Sequence, residues 1–342
     1  MARPRHTSSS CLLRFLAAWG SLALWSFALA LVLWNVARVY PGDRWLPVRV
    51  GNYFAPWLMI GAFVALTIAV LERRRWLWRV FLVLCLIFVV RFWPVLLPHL
   101  DGNSAAANTS TGSLRVMTFN VHYANEDVAG VARLIHAEAP DLVAFQEFTQ
   151  PFAGRLTSEL APEYLYALLD HGEWPRLGLI SRYPLTALPT PSDAWRTQVA
   201  RWATPEGEVI VWNVHSSPSV GQRGWERQRQ TFLAIAREVK AASGPVIVLG
   251  DFNTTDQAQN YQLLAEHLTD VHRAVGWGFG FTFPGRWRDP WPLPIHKVPL
   301  VPILRIDHIF VSQHWLPEAI HVVPEGPGSD HLPVVATLRR AL

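Results

Sequence analysis

Carboxylates, amides and imidazoles recur in the second half of this 342-residue chain, at the ends of short apolar runs. Asn120 closes one run, and His122 follows two residues later. Glu147 closes a second and His215 a third. Asp251 and Asn253 follow the apolar residues 246–249, Asp307 and His308 sit within 305–310, and Asp330 and His331 come near the C-terminus. Oxygen donors of this kind suit a hard cation such as Mg²⁺, with Mn²⁺ as the alternative, which takes few protein ligands and keeps positions for phosphate oxygens. Imidazole beside carboxylate suits proton transfer. Each residue also has a plainer reading. Asn120 would cap a turn, and His122, His215 and His308 would be hydrogen-bonded structural groups. Asp307 and Asp330 would be ordinary surface acids.

The chemistry depends on the elements that carry these residues. Residues 114–120 alternate like a strand. Residues 128–138 have helical spacing that Pro140 stops. Residues 141–147 form an apolar strand ending in polar side chains. Further strands are expected at 177–181, 208–215, 245–249, 306–311 and 334–338, with helices at 228–241 and 260–268. The pattern is α/β, and open sheets of this class place their sites at strand ends. No internal repeat of a solenoid is present.

Seven segments, taken in order, resemble the endonuclease/exonuclease/phosphatase superfamily. They are the Thr-Phe-Asn-Val-His run at 118–122, Gln146 with Glu147, residues 180–184, Asn213 to His215, the Gly-Asp-Phe-Asn run at 250–253, residues 306–308 and residues 329–331. The resemblance covers nearly all of 114–340. It implies a two-sheet, four-layer α/β sandwich of the DNase I type with its site at one edge, and hydrolysis of phosphoric ester or anhydride bonds. It also implies roles. Glu147 resembles the central metal ligand, with Asn120 beside it and Asp330 as a further metal-site carboxylate. Asp251 resembles the residue that orients or deprotonates the attacking water, and Asn253 a donor to the phosphoryl oxygens. His331 is similar to the catalytic histidine, Asp307 to the carboxylate orienting it, and His215 to a phosphate-contacting histidine. Some nuclease members place an acid two residues after the Asn, where this chain has His122. Residues 182–184 read as a structural turn, and Arg227 and Gln230 as helix packing.

The first half is different. Hydrophobic residues make up 51% of the chain and concentrate before about residue 100. Residues 15–36 and 53–71 are uncharged and long enough to cross a bilayer as helices. A third span over 76–97 requires Arg79 to snorkel to one interface. Arg91 then lies near the other, as a second snorkelling arginine or as a cation facing an anionic lipid headgroup. About three transmembrane helices therefore occupy 1–100, the small polar residues 101–113 read as a linker, and 114–342 form the catalytic domain. Arginines at the N-terminus and between the second and third spans, with none at 99–113, put the N-terminus inside and the catalytic domain outside.

Charge divides the same way. Residues 1–112 carry eleven arginines against three acids, a net +8, so the whole-chain +4 leaves −4 for residues 113–342. An acidic catalytic domain disfavours a general nucleic-acid binder, whose footprint is basic. Both cysteines, Cys11 and Cys85, lie in the apolar half. The aromatic segment 277–291, followed by four prolines, reads as a braced loop or as a rim at the lipid interface. The expected partners are thus a lipid bilayer and a phosphorylated, lipid-linked substrate such as an isoprenoid pyrophosphate or a phospholipid headgroup. A surface-anchored nuclease and a catalytically silent scaffold are the alternatives. The oligomeric state is not encoded in any of these features.

Overall fold

The computed structural model describes residues 8–97, 112–170, 176–285 and 301–341, with side chains from residue 15 on. The chain divides into two compact units, Met1–Trp93 and Pro94–Leu342.

In the first unit α1 (Ser8–Ala37), α2 (Leu46–Tyr53), α3 (Ala55–Leu71) and α4 (Arg75–Leu96) follow one another. Among the described residues two helices, Phe15–Ala37 and Arg75–Leu96, are long and apolar enough to cross a membrane. A third crossing exists if α2 and α3, bent by 76° at their junction, count as one span. The short α2 was not expected from the sequence. Its eight residues include Arg49, and Pro47 in its first turn and the break before Pro56 separate it from the uniformly apolar α3. At ~1.5 Å per residue, an uninterrupted helix of about 20 residues would cross alone.

The second unit begins with β1 (Ser113–Asn120), α5 (Val128–Glu138), β2 (Leu142–Gln146) and α6 (Gln150–Leu160). Next come β3 (Tyr166–Leu169), β4 (Gly178–Ser181), β5 (Leu185–Leu188), β6 (Thr197–Thr204) and β7 (Gly207–His215). Then follow α7 (Gln222–Ala241), β8 (Val246–Asp251), α8 (Gln259–Ala265), β9 (Thr269–Asp270) and α9 (Val271–Val275). β10 (Asp307–Val311), β11 (Trp315–Val322) and β12 (Val334–Arg340) complete the unit. Two six-stranded sheets result, ordered β11-β12-β1-β2-β4-β3 and β5-β6-β7-β8-β10-β9. Each contains one parallel pair, β1 with β2 and β7 with β8, joined by the crossover helices α5 and α7. All other pairs are antiparallel.

The four layers follow from period-2 alternation in strands buried on both faces. On β1, Leu114 and Val116 point between the sheets with Trp202, Val211, Leu249 and Ile309. Met117 and Phe119 point the other way, against Val131, Ile135 and Leu156 of α5 and α6. On β8, Val246 and Val248 face Phe232 and Ile235 of α7. Buried amides also cross between the sheets: Gln146 Nε2 donates to Asn213 Oδ1 at 2.8 Å, and Asn213 Nδ2 donates to Phe145 O at 3.0 Å. These bonds give the polar ends of both sheets a fixed register.

One buried histidine makes a separate prediction. His272 is 6% exposed, and its Nε2 lies 3.0 Å from Gly278 O. Burial, reinforced by the Arg305 charge, lowers its pKa to about 4. The folded state therefore refuses a proton that the unfolded chain accepts below about pH 6.5. Stability is complete above that value and is lost as pH falls toward 4, by up to roughly 3 kcal/mol. Denaturant midpoints at pH 7 and pH 4.5 check this. Wild-type protein should lose more stability between the two than His272→Gln, and equal losses would refute the assignment.

Candidate active site

The topology itself collects the chemistry. Parallel pairing puts the C-terminal ends of β1 and β2 side by side, and likewise those of β7 and β8. Antiparallel pairing brings the starts of β10 and β12 to the same edge: Asp307 is opposite Asp251, and Val334 opposite Thr118. His215 in turn is opposite Asp251 on β7.

Two glycines make the approach. At Gly250 φ is +149°, and an added Cβ would lie 1.9 Å from Val214 O, so strands β7 and β8 close tightly just before Asp251. At Gly328, with φ +69°, a Cβ would overlap the Asn125 amide, which itself donates to Pro327 O at 2.8 Å. That turn delivers Ser329, whose Oγ donates to Asn120 O at 2.6 Å, and then His331. Gly250→Ala is expected to destabilise the catalytic domain by at least about 3 kcal/mol, because backbone rather than a flexible side chain blocks the methyl. Thermal unfolding of the variant checks it, and an unchanged midpoint would show that the two strands are free to separate.

Asp251, Asp307 and His331 are each at most 5% exposed. His331 Nδ1 donates to Asp307 Oδ2 at 2.9 Å, and Thr282 Oγ1 donates to the same oxygen at 2.6 Å. His331 Nε2 faces Asp251 Oδ2 at 3.8 Å. Burial alone would lower the His331 pKa, but the Asp307 and Asp251 carboxylates outweigh it and raise it, so the ring is held as a cation. Phe283 packs on the ring at 4.9 Å between centroids. Burial, with Asp307 nearby, raises the Asp251 pKa, against the opposing pull of His331. Asp251 Oδ1 accepts from Asn253 N at 2.8 Å, and Oδ2 from Asn253 Nδ2 and Asn120 Nδ2, both at 3.1 Å.

Glu147 stands beside this group in a left-handed conformation, φ +57°. Its Oε2 accepts from Tyr123 N at 2.9 Å, and Oε1 lies 3.5 Å from Asn120 Nδ2 and 3.8 Å from His215 Nε2. Asn120 thus presents its NH₂ to two carboxylates, while its Oδ1 accepts from His122 N at 3.1 Å. A metal ligand at Asn120 would use the oxygen, which requires the amide to turn over. His215 Nε2 is 3.6 Å from Asp251 Oδ2. Burial and the charges of Arg196 and His331 lower its pKa to about 3, so it stays neutral. Asp330 is half-buried and lies outside the tight carboxylate–imidazole trio; its charge still helps raise the His331 pKa. His308 turns away, with Nε2 2.9 Å from Thr254 O and Nδ1 3.3 Å from Arg305 Nη1, and so braces the loop after Asn253.

The donor set fits a divalent cation. Ligand atoms of Asp251, Asp307 and His331 lie within 4.8 Å of one another, and Glu147 adjoins them. Ion pairing with protonated His331 already accounts for the closeness of Asp251 and Asp307. Glu147, with 15% of its side chain exposed, offers a further carboxylate beside them.

Arg196 was not among the residues singled out by sequence. It sits in the turn just before β6, a strand that the apolar pattern did not predict. Glu147 and Asp251 both act on its charge, and its guanidinium lies 4.3 Å from the Trp195 ring centroid. Thr282 and Phe283 also reach the site from the aromatic segment. Phe279 and Phe281 of that segment stack at 5.3 Å, and residues 286–300, including Trp287 and Trp291, lie outside the described residues.

An α/β sandwich with carboxylates, a paired imidazole and an arginine gathered at one sheet edge defines a hydrolase class. The endonuclease/exonuclease/phosphatase family model matches residues 117–331, and the chain belongs to that family; it is an enzyme acting on phosphoric ester bonds. An endonuclease/exonuclease/phosphatase from Beutenbergia cavernae DSM 12333 is 25% identical, with a TM-score of 0.50, covering 67% of this chain and 72% of its own. Another from Bacteroides vulgatus is 23% identical with a TM-score of 0.51, covering 67% and 99%. D. rerio TDP2 complexed with a single-strand DNA product is 17% identical with a TM-score of 0.55, covering 66% and 99%. The last two share the fold. No curated protein matches the sequence.

Proposed function

We propose that this protein is a membrane-anchored phosphatase or phosphodiesterase that uses Mg²⁺ and acts on lipid-linked phosphates at the extracytoplasmic face. The observation that carries the reading is one chain holding both a phosphoester-hydrolase site and helices apolar enough to cross a membrane. Tethering keeps the site within reach of the bilayer and raises the effective concentration of substrates embedded there. The net acidic catalytic domain favours such a substrate over nucleic acid.

A divalent cation held by Glu147, with Asn120 and Asp330 as further candidate ligands, would neutralise charge on the phosphoryl oxygens. The other roles belong to the chain's own groups. Asp251, oriented by the backbone N–H of Asn253, accepts a proton from the attacking water. His331, held protonated by Asp307, donates to the leaving oxygen. Neutral His215, the Asn253 amide and Arg196 donate to the phosphoryl oxygens as charge builds there.

The experiment is hydrolysis by detergent-purified full-length protein, with and without Mg²⁺, comparing isoprenoid pyrophosphate, a phospholipid and DNA. Release of phosphate or headgroup from lipid alone, lost in His331→Ala, is the expected result. Cleavage of DNA alone, also lost in the variant, would overturn the substrate assignment and leave the site standing.

A further inference from the structure

The basic edge of the site continues onto α7. The sequence reads Arg227 as helix packing, but in the structure its side chain is exposed. Its guanidinium carbon lies 5.1 Å from the Trp195 ring centroid, and that of Arg196 lies 4.3 Å from the same centroid. Among the described residues no carboxylate comes within ion-pair distance of Arg227.

The turn that carries the ring is held on both sides. Trp195 is 40% exposed, and its carbonyl accepts from Thr231 Oγ1 of α7 at 3.2 Å. Arg196 has φ +59°, a left-handed conformation that is uncommon outside glycine and clusters at functional positions. Its carbonyl accepts from His215 N at 3.0 Å, and Thr197 Oγ1 donates to Ala194 O at 2.6 Å. The turn is therefore tied to the site through His215 and to α7 through Thr231. Burial lowers the Arg196 pKa; the Glu147 and Asp251 carboxylates oppose that shift, and the charge of Arg227 adds to it. Arg196 is thus coupled both to the carboxylates of the site and to Arg227.

Two guanidiniums gathered on one ring repel each other, and an anion between them turns that repulsion into attraction. Each presents a planar fork of donors matched to phosphate oxygens. A single phosphoryl group is already met by His215, Asn253 and Arg196, so Arg227 adds donors for a further phosphate. A diphosphate carries that group one bridging oxygen away, whereas successive phosphates of a nucleic acid are separated by a whole sugar. We propose that Trp195, Arg196 and Arg227 form a subsite for the second, non-reacting phosphate of a diphosphate substrate. The proposal rests on the reading that this site hydrolyses phosphoric esters or anhydrides, and not on the substrate being a lipid.

The test is calorimetric binding of methylenediphosphonate and methylphosphonate to detergent-purified full-length protein at one free Mg²⁺ concentration. Wild-type protein should prefer the diphosphonate, and Arg227→Gln should lower that preference by about tenfold or more, the loss expected for a charge-assisted hydrogen bond. Arg229→Gln removes the same charge from the same helix, about 200° further round, and should keep the preference. Equal affinity of wild type for both probes, an undiminished preference in Arg227→Gln, or an equal loss in Arg229→Gln would each overturn the subsite. Thermal unfolding checks that the variants are folded. If Arg227→Gln is not, Trp195→Leu decides: loss of the shared ring should also weaken the preference, and no change overturns the proposal. Turnover separates this inference from the lipid assignment. Hydrolysis of a short alkyl diphosphate but not of an isoprenoid diphosphate, with the preference intact, would sink the lipid reading and leave the subsite standing. Equal kcat/KM for isoprenoid phosphate and diphosphate would overturn the subsite and leave the lipid reading standing. Cleavage of DNA alone, weakened in Arg227→Gln, would give the arginine to a backbone phosphate and overturn the diphosphate assignment.

Discussion

His331→Ala is expected to lower kcat by about 10²–10⁴-fold, the range typical of a lost general acid or base. The residue is the junction of the site: Nδ1 donates to Asp307 at 2.9 Å, and Nε2 faces Asp251 at 3.8 Å. Removing the ring takes away the proton donor and leaves two buried carboxylates facing each other without the cation between them. Asp251 would then hold its proton more tightly and become a poorer acceptor. The loss should therefore fall mainly on kcat, with KM nearly unchanged. Steady-state kinetics on a substrate whose leaving group needs no protonation separates the two roles. A donor role predicts a much smaller loss there, and an equal loss with both substrates would assign His331 to water activation or charge balance instead. Asp307→Asn should reproduce part of the effect through a weakened hold on the imidazolium, since Thr282 still donates to that position.

The second large effect is expected at Glu147→Gln. The amide keeps the shape of the side chain but removes the charge that anchors a cation, so Mg²⁺-dependent turnover should fall by at least 10²-fold at saturating substrate, with a higher Mg²⁺ requirement. A binding assay independent of turnover is available. Any ligand that binds only the folded protein stabilises it, by about 2.7 kcal/mol at a hundredfold excess over Kd. Wild-type protein should therefore melt at a higher temperature when Mg²⁺ is added, and Glu147→Gln should respond far less. In the absence of Mg²⁺ the variant should be at least as stable as wild type, because a carboxylate beside Asp251 has been neutralised. An undiminished thermal response in the variant would move the cation to the Asp251, Asp307 and His331 group.

Part of this was legible in the sequence because strand ends are local signals. Residues 128–138 match α5 in full, and residues 114–120 and 208–215 match β1 and β7 to within a residue. Asn120, Glu147, His215 and Asp251 were read at the ends of apolar runs, since polar groups terminate strands buried on both faces, and Asp307 near the start of another. The apolar stretches gave α1, α3 and α4 for the same reason: a helix that must face lipid or other helices all round carries no polar stripe. Edge strands left weaker marks. β3 and β5 are four residues long and half exposed, and β6 alternates around Arg201 at a solvent-facing position, so no continuous apolar run announces them. Arg196 went unseen with β6.

The sequence by itself determined which groups lie at strand ends, which stretches avoid charge, and the opposite net charges of the two halves. Those are properties of a residue and its near neighbours. Only the tertiary structure decided that His331 sits between Asp307 and Asp251, that Asn120 turns its NH₂ toward two carboxylates, that His308 braces a loop, and that Arg196 and Arg227 share Trp195. Each of these depends on contacts between elements far apart in the chain. Burial at those junctions then sets the charge state: an imidazole between two enclosed carboxylates keeps its proton, while one enclosed beside an arginine gives it up.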